Sequence, residues 1–165
     1  LVGSEMCIRD SGTAVQLPGL RLERLVGDDV VLAVPASHPF ANRQAVTVEE
    51  LAGQRLVQRE AGSGTRRSVE SALAAAGHND VAWNEVFVLG SSQAVLQAVQ
   101  QGLGVGFVSA RAAADAVAAG RVAHTGIAGV DLHRALYLAY LPHRVGDPLL
   151  ARFLEFARDR FGDEG

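Results

Sequence analysis

The 165-residue chain has no lysine; all fifteen of its basic residues are arginine. That excludes a Walker-type phosphate loop, a Schiff-base lysine and a Ser–Lys dyad. A single cysteine, Cys7, excludes an internal disulfide and a cysteine-based structural zinc site. No apolar run reaches the ~18–20 residues of a membrane-spanning helix, which argues against an integral membrane protein. Basic charge is not in excess either. The formal net charge is −3, against the positive balance of a chain that grips nucleic acid electrostatically.

What is present is globular. Hydrophobic residues make up 48% and charged residues 20%, a composition unlike disorder. A chain of this length buries ~70% of its unfolded surface and needs no disulfide or metal to hold a core. It suits one domain or two small lobes. Leu1–Ser11 (LVGSEMCIRDS) joins poorly to the residues from Gly12 on, holds the only Cys and Met, and is not a signal peptide. It reads as a sequence artefact or a disordered tail, and Cys7 is given no role.

From Gly12 onward, strand and helix patterns alternate. The β-branched run Val30–Val34, stopped by Pro35, reads as a buried strand. Ser37–Phe40 is a turn or loop. Thr47 and Glu50 have capping-box spacing for a short helix stopped by Gly53. Arg55–Arg59, Glu85–Leu89, Val105–Val108 and Leu136–Leu141 read as strands. Helices come after Gly62–Thr65 (to about Ala76), Gly90–Ser92 (to Gly102) and Val108 (Ala110–Ala119). A last helix begins at Asp147-Pro148, with Asp as N-cap. This order predicts an α/β fold with a largely parallel sheet. Two strand-to-helix turns, Gly62–Thr65 and Gly90–Ser92, combine Gly with hydroxyl residues. Helix starts at the carboxyl ends of strands favour an anion.

Other motifs fail on context. Gly102-Leu103-Gly104-Val105-Gly106 follows a helix and enters a strand, the reverse of a dinucleotide fingerprint. Gly62-Ser63-Gly64 is not a nucleophile elbow. His38, His78, His124, His133 and His143 show no metal-ligand spacing and no tie to a serine. No catalytic constellation and no metal site is expected.

Several segments, taken in order, resemble the effector-binding domain of LysR-type transcriptional regulators. They are Asp29–Pro35 with His38–Ala41, Val46–Gly53, Arg59–Arg66, Gly90–Val95 with Ala98-Val99 and Gly102–Phe107, and Arg134–Leu138 with the closing Phe153-Leu154 helix. The order and spacing fit from about Leu20 to Ala157. The Arg59–Arg66 stretch is similar to the branch that regulates sulfur assimilation and carbon fixation. The resemblance implies an α/β, two-lobe, periplasmic-binding-protein-like (type 2) fold, with lobe II complete and lobe I partial. Carried onto this chain, 12–35 is part of lobe I, 36–129 is lobe II, and 130–165 returns to lobe I. Val31–Pro35 is then one crossover strand, and a second lies within Ala128–Leu138.

The implied ligand is a small anionic effector, held in the inter-lobe cleft. The residues matching the family's cleft loops are Ser63, Gly64, Thr65, Ser91, Ser92 and Gln93. Gly106 allows close approach and Phe107 lines the floor; Val34 and His38 are wall candidates, and Arg66 is a further cation. At each position a plain reading competes: serine and threonine at helix starts are N-caps, and glycines serve turns and packing. No cofactor is implied. The expected partners are the effector, a second copy in a homodimer or tetramer, and DNA through a helix-turn-helix domain outside this chain. The helix near Thr65 and the strand Glu85–Val88 are the implied dimer elements. A cytoplasmic, membrane-free location is implied as well. The alternative from another class is a solute-binding protein of the same architecture.

Overall fold

A computed structural model describes residues 19–161. The expectations for 1–11, and for 12–18 within the first lobe, fall outside the described residues. The described residues divide into two compact units, one of Asp28–Arg134 and one of the residues up to Gly27 with those from Ala135 on.

β1 (Arg21–Pro35) runs from the smaller unit into the larger one, and there its Leu32, Ala33 and Val34 are wholly buried. Three consecutive buried residues require cover on both faces of the sheet. The elements after it are β2 (Ala45–Val46), α1 (Val48–Ala52), β3 (Arg55–Arg59), α2 (Gly64–Ala75) and β4 (Asn84–Leu89). Then come α3 (Ser92–Gln100), β5 (Gly106–Ser109), α4 (Ala110–Ala118), β6 (Val122–Ile127) and β7 (His133–Tyr140). One sheet has the order β2-β6-β1-β5, with β7 also paired to β1. A second sheet pairs β3 and β4 in parallel, and a parallel bridge from Leu56 to Val105 joins the two.

Neighbouring residues on each strand serve opposite core layers, as the strand period of two demands. Leu32, Leu56 and Phe107 pack with Val69 and Leu73 of α2. Ala33, Val57 and Val108 pack with Val95 and Val99 of α3 and Ala113 of α4. Helices therefore cover both faces. The short α1 begins at Thr47 with both halves of its capping box formed, as the spacing of Thr47 and Glu50 predicts. Gly77, at φ +89°, ends the α2 turn in a conformation that side chains rarely adopt.

Two expectations differ from what forms. The sheet is not largely parallel: β1 runs antiparallel to both β5 and β6. Antiparallel neighbours arise because β1 enters the unit from outside it rather than through a helical crossover. In addition, β6 is a strand that the sequence pattern does not announce. It alternates irregularly, with His124 and Thr125 at its centre, and Thr125 is nevertheless buried beside β1.

In the smaller unit, α5 (Pro148–Phe161) starts where Asp147 accepts the Leu149 amide at 2.9 Å. Its Leu150, Leu154 and Ala157 pack with Leu138 and Tyr140. Glu23 accepts bonds from Arg158 at 2.6 and 2.8 Å and from the Tyr140 hydroxyl at 3.0 Å. The Arg158 bonds, aided by Tyr140, outweigh burial and lower the Glu23 carboxyl to about 2. Among the described residues, no helix is long and apolar enough to cross a membrane.

Candidate functional site

In the larger unit, three strands end side by side and each leads into a helix. β3 and β4 pair in parallel up to Arg59 and Leu89. β5 runs beside β3 in the same direction. A serine caps each following helix: Ser63 for α2, Ser91 for α3 and Ser109 for α4. Each hydroxyl accepts the amide three residues on, from Arg66 at 3.4 Å, Ala94 at 3.1 Å and Ala112 at 3.4 Å. The helical ladders of α2 and α3 start with Arg67 bonding Ser63 and Val95 bonding Ser91. The amides of Gly64, Thr65, Ser92 and Gln93 therefore precede the ladders, as helix geometry requires. Donors and helix dipoles converge on one edge, which suits a negative charge.

Side chains tie this edge together. Arg59 donates to the Ser92 hydroxyl at 2.6 Å and grips Glu60 through two bonds at 2.8 and 2.9 Å. Those bonds hold the Glu60 carboxyl below its ordinary value. Arg66 donates to the Arg59 carbonyl at 3.0 Å and pairs with Glu70 and Glu85. Deeper, Arg134 donates Nε and Nη2 to Asp28 at 2.8 and 2.7 Å, and Nη1 to the Thr65 hydroxyl at 3.3 Å. The Ser109 hydroxyl donates to the other Asp28 oxygen at 2.6 Å. This pair is almost wholly buried, with side-chain exposures of 4% and 0%.

The residues singled out in the sequence separate into two groups. Ser63, Gly64, Thr65, Ser91, Ser92 and Gln93 come together at the two helix starts. Gln93 and Ser91 are exposed, while Ser63 and Thr65 are buried. Gly106 and Phe107 lie in the core instead. A Cβ on Gly106 would stand 2.6 Å from Val95 and 2.8 Å from the Val57 carbonyl, so its glycine serves strand and helix packing. Phe107 is packed with Leu32 and Leu56. Val34 is likewise core, and His38 accepts the Phe40 amide at 3.2 Å within its own turn. Asp28, Arg59, Ser109 and Arg134 belong to this hydrogen-bonded arrangement without having been singled out in the sequence. For Ser109 a signal exists: it repeats the strand–serine–helix pattern of Ser63 and Ser91. For Asp28 and Arg134 there is none. Among the described residues, no group of His, Cys, Asp and Glu could hold a metal ion.

Residues 6–162 match the family described as the LysR substrate binding domain. The chain belongs to that family. A similar relative is an uncharacterized HTH-type transcriptional regulator of Methanocaldococcus jannaschii, 35% identical over 80% of this chain and 45% of its own length. Another is the probable RuBisCO transcriptional regulator of Cyanophora paradoxa, 31% identical over 71% of this chain and 36% of the relative. The LysR family chain thus spans less than half the length of these curated relatives. Among solved structures, the CcmR regulatory domain of Synechocystis PCC6803, in complex with 2-PG, covers 92% of this chain with a TM-score of 0.76. Identity is 21%, and 71% of that domain is covered. The fold is the periplasmic-binding-protein-like α/β fold of LysR regulatory domains. The relatives named are transcriptional regulators.

Proposed function

We propose that the chain is the effector-sensing module of a LysR-type transcriptional regulator. It takes a small anionic metabolite at the carboxyl edge of β3, β4 and β5. The observation that carries this reading is the convergence of the α2 and α3 N-termini, each with a serine cap and amides outside its helical ladder. The contacts are assigned to the amides of Gly64, Thr65, Ser92 and Gln93 and the hydroxyls of Ser63, Thr65, Ser91 and Ser92. Arg59 supplies a cation between the two helix starts. Gly106 and Phe107 support the edge from the core rather than touching the ligand.

The larger unit is read as effector lobe II and the smaller as part of lobe I. The chain acts by binding and not by catalysis, in the cytoplasm and without a cofactor. A ligand moves such a module only by its differential affinity for two states. DNA is contacted by a helix-turn-helix domain of the regulator, which works as a homodimer or tetramer. The exposed Phe87 and Val88 on β4 are the dimer contacts of this chain. Family membership favours this reading over a transport solute-binding protein.

A thermal-shift screen of the 165-residue chain tests it, using sulfate, 2-PG, phosphorylated sugars and small carboxylates. At least one anion raises the melting temperature, and Thr65→Ala and Ser91→Ala reduce that rise. A flat response to every anion, or a rise unchanged in both variants, overturns the assignment.

A further inference from the structure

The N-terminus of α2 is joined to the strands through which the chain passes between its two units. Those passages fall between Gly27 and Asp28 in β1, and between Arg134 and Ala135 in β7. Asp28 and Arg134, the residues bordering them, are the buried ion pair. From this pair one guanidinium nitrogen reaches the Thr65 hydroxyl on α2, and one carboxylate oxygen takes the Ser109 hydroxyl at the cap of α4. Four side chains on four elements, 28 to 134 in sequence, thus form one continuous network around a buried pair. Beside it, on the exposed side, His133 Nδ1 lies 2.8 Å from the Asp29 carboxylate. The backbone is stitched at the same level by the Val30 amide donating to the Leu132 carbonyl at 3.1 Å.

We propose that Thr65 and Arg134 form a relay, in which Thr65 is a positioning residue that holds the Arg134 fork and thereby the β1–β7 crossing. The guanidinium is planar, so its three engaged nitrogens move as one body. Displacing Thr65 therefore tilts the bonds to Asp28 rather than being absorbed locally. Burial magnifies the effect, because a polar group in a dry interior has no water to turn to. The relay concerns the fold of the free protein. Its use in sensing rests on the effector reading above.

Amide hydrogen exchange of the ligand-free 165-residue chain, followed by NMR, tests the relay without any effector. Thr65→Val removes the hydroxyl and keeps the shape. It accelerates exchange of the Val30 amide about tenfold, the scale of one hydrogen bond to a charged group. Thr65→Ser restores the hydroxyl and returns Val30 to the wild-type rate. Ser63→Ala, which weakens the same helix start through its cap alone, leaves Val30 unchanged. An unchanged Val30 rate in Thr65→Val overturns the relay. So does equal acceleration in Ser63→Ala, which means that only fraying of α2 is felt, or failure of Thr65→Ser to restore protection. A flat anion screen refutes the effector reading and leaves this result standing.

Discussion

Removing the Asp28 carboxylate is the sharpest perturbation of the site's foundation. Its side chain is 0% exposed and that of Arg134 only 4%. Asp28→Ala leaves the guanidinium in a dry interior without the two bonds that Oδ2 accepts. It also removes the acceptor of the Ser109 hydroxyl. Breaking a buried pair on one side costs about 3–5 kcal/mol, mostly from the uncompensated charge left behind. Replacing both members is different, because nothing charged then remains. Asp28→Leu with Arg134→Met should recover most of the loss, ending within about 1–2 kcal/mol of wild type. Trp83 is the only tryptophan, lies in the larger unit and packs against its core. Urea unfolding followed by its fluorescence therefore reports on this unit. A loss below about 1 kcal/mol in Asp28→Ala is the scale of a solvated pair and contradicts a buried one. A double variant no better than the single one refutes the claim that the stranded charge is what costs.

Three further outcomes rest on particular contacts. Gly106→Ala forces a methyl against Val95 and the Val57 carbonyl; about 1–3 kcal/mol should be lost in the same urea assay. Ser109→Ala loses both a helix cap and a bond to the buried Asp28, whereas Ser91→Ala loses an exposed cap only; the first should cost more, against about 1 kcal/mol for the second. Glu23 is lowered from 4.5 to about 2 by Arg158. A lowered carboxylate contributes stability that is complete above pH ~4.5 and lost as pH falls toward 2. Thermal melts of wild type and Arg158→Gln should differ at pH 7 and converge near pH 2, and a constant gap at all pH values contradicts the pairing.

Local signals carry much of the fold. Val30–Val34 declares a buried strand through β-branched side chains, and Thr47 with Glu50 declares a cap, because both depend on near neighbours. Ser63 and Ser91 are legible as helix starts for the same reason. What escapes depends on distant pairing. The direction of β1 against β5 and β6 is decided by partners more than 70 residues away. The Arg134–Asp28 pair joins positions 106 apart, and Arg59 finds Ser92 33 residues on. Neither arginine differs in its local pattern from the solvated ones. Gly106 shows a signal with two meanings. Its glycine marks a close approach, and the groups that approach it are Val95 and the Val57 carbonyl.

On the proposed reading, anions bind where α2 and α3 begin. Isothermal titration of the full chain with the best anion from the thermal-shift screen measures this, repeated with Thr65→Ala, Ser91→Ala and the exposed control Arg152→Ala on α5. Saturable one-site binding is expected, weakened about tenfold or more by each helix-start variant and unaffected by the control. Binding of equal strength in all four proteins, or no saturable binding to the wild type, contradicts it.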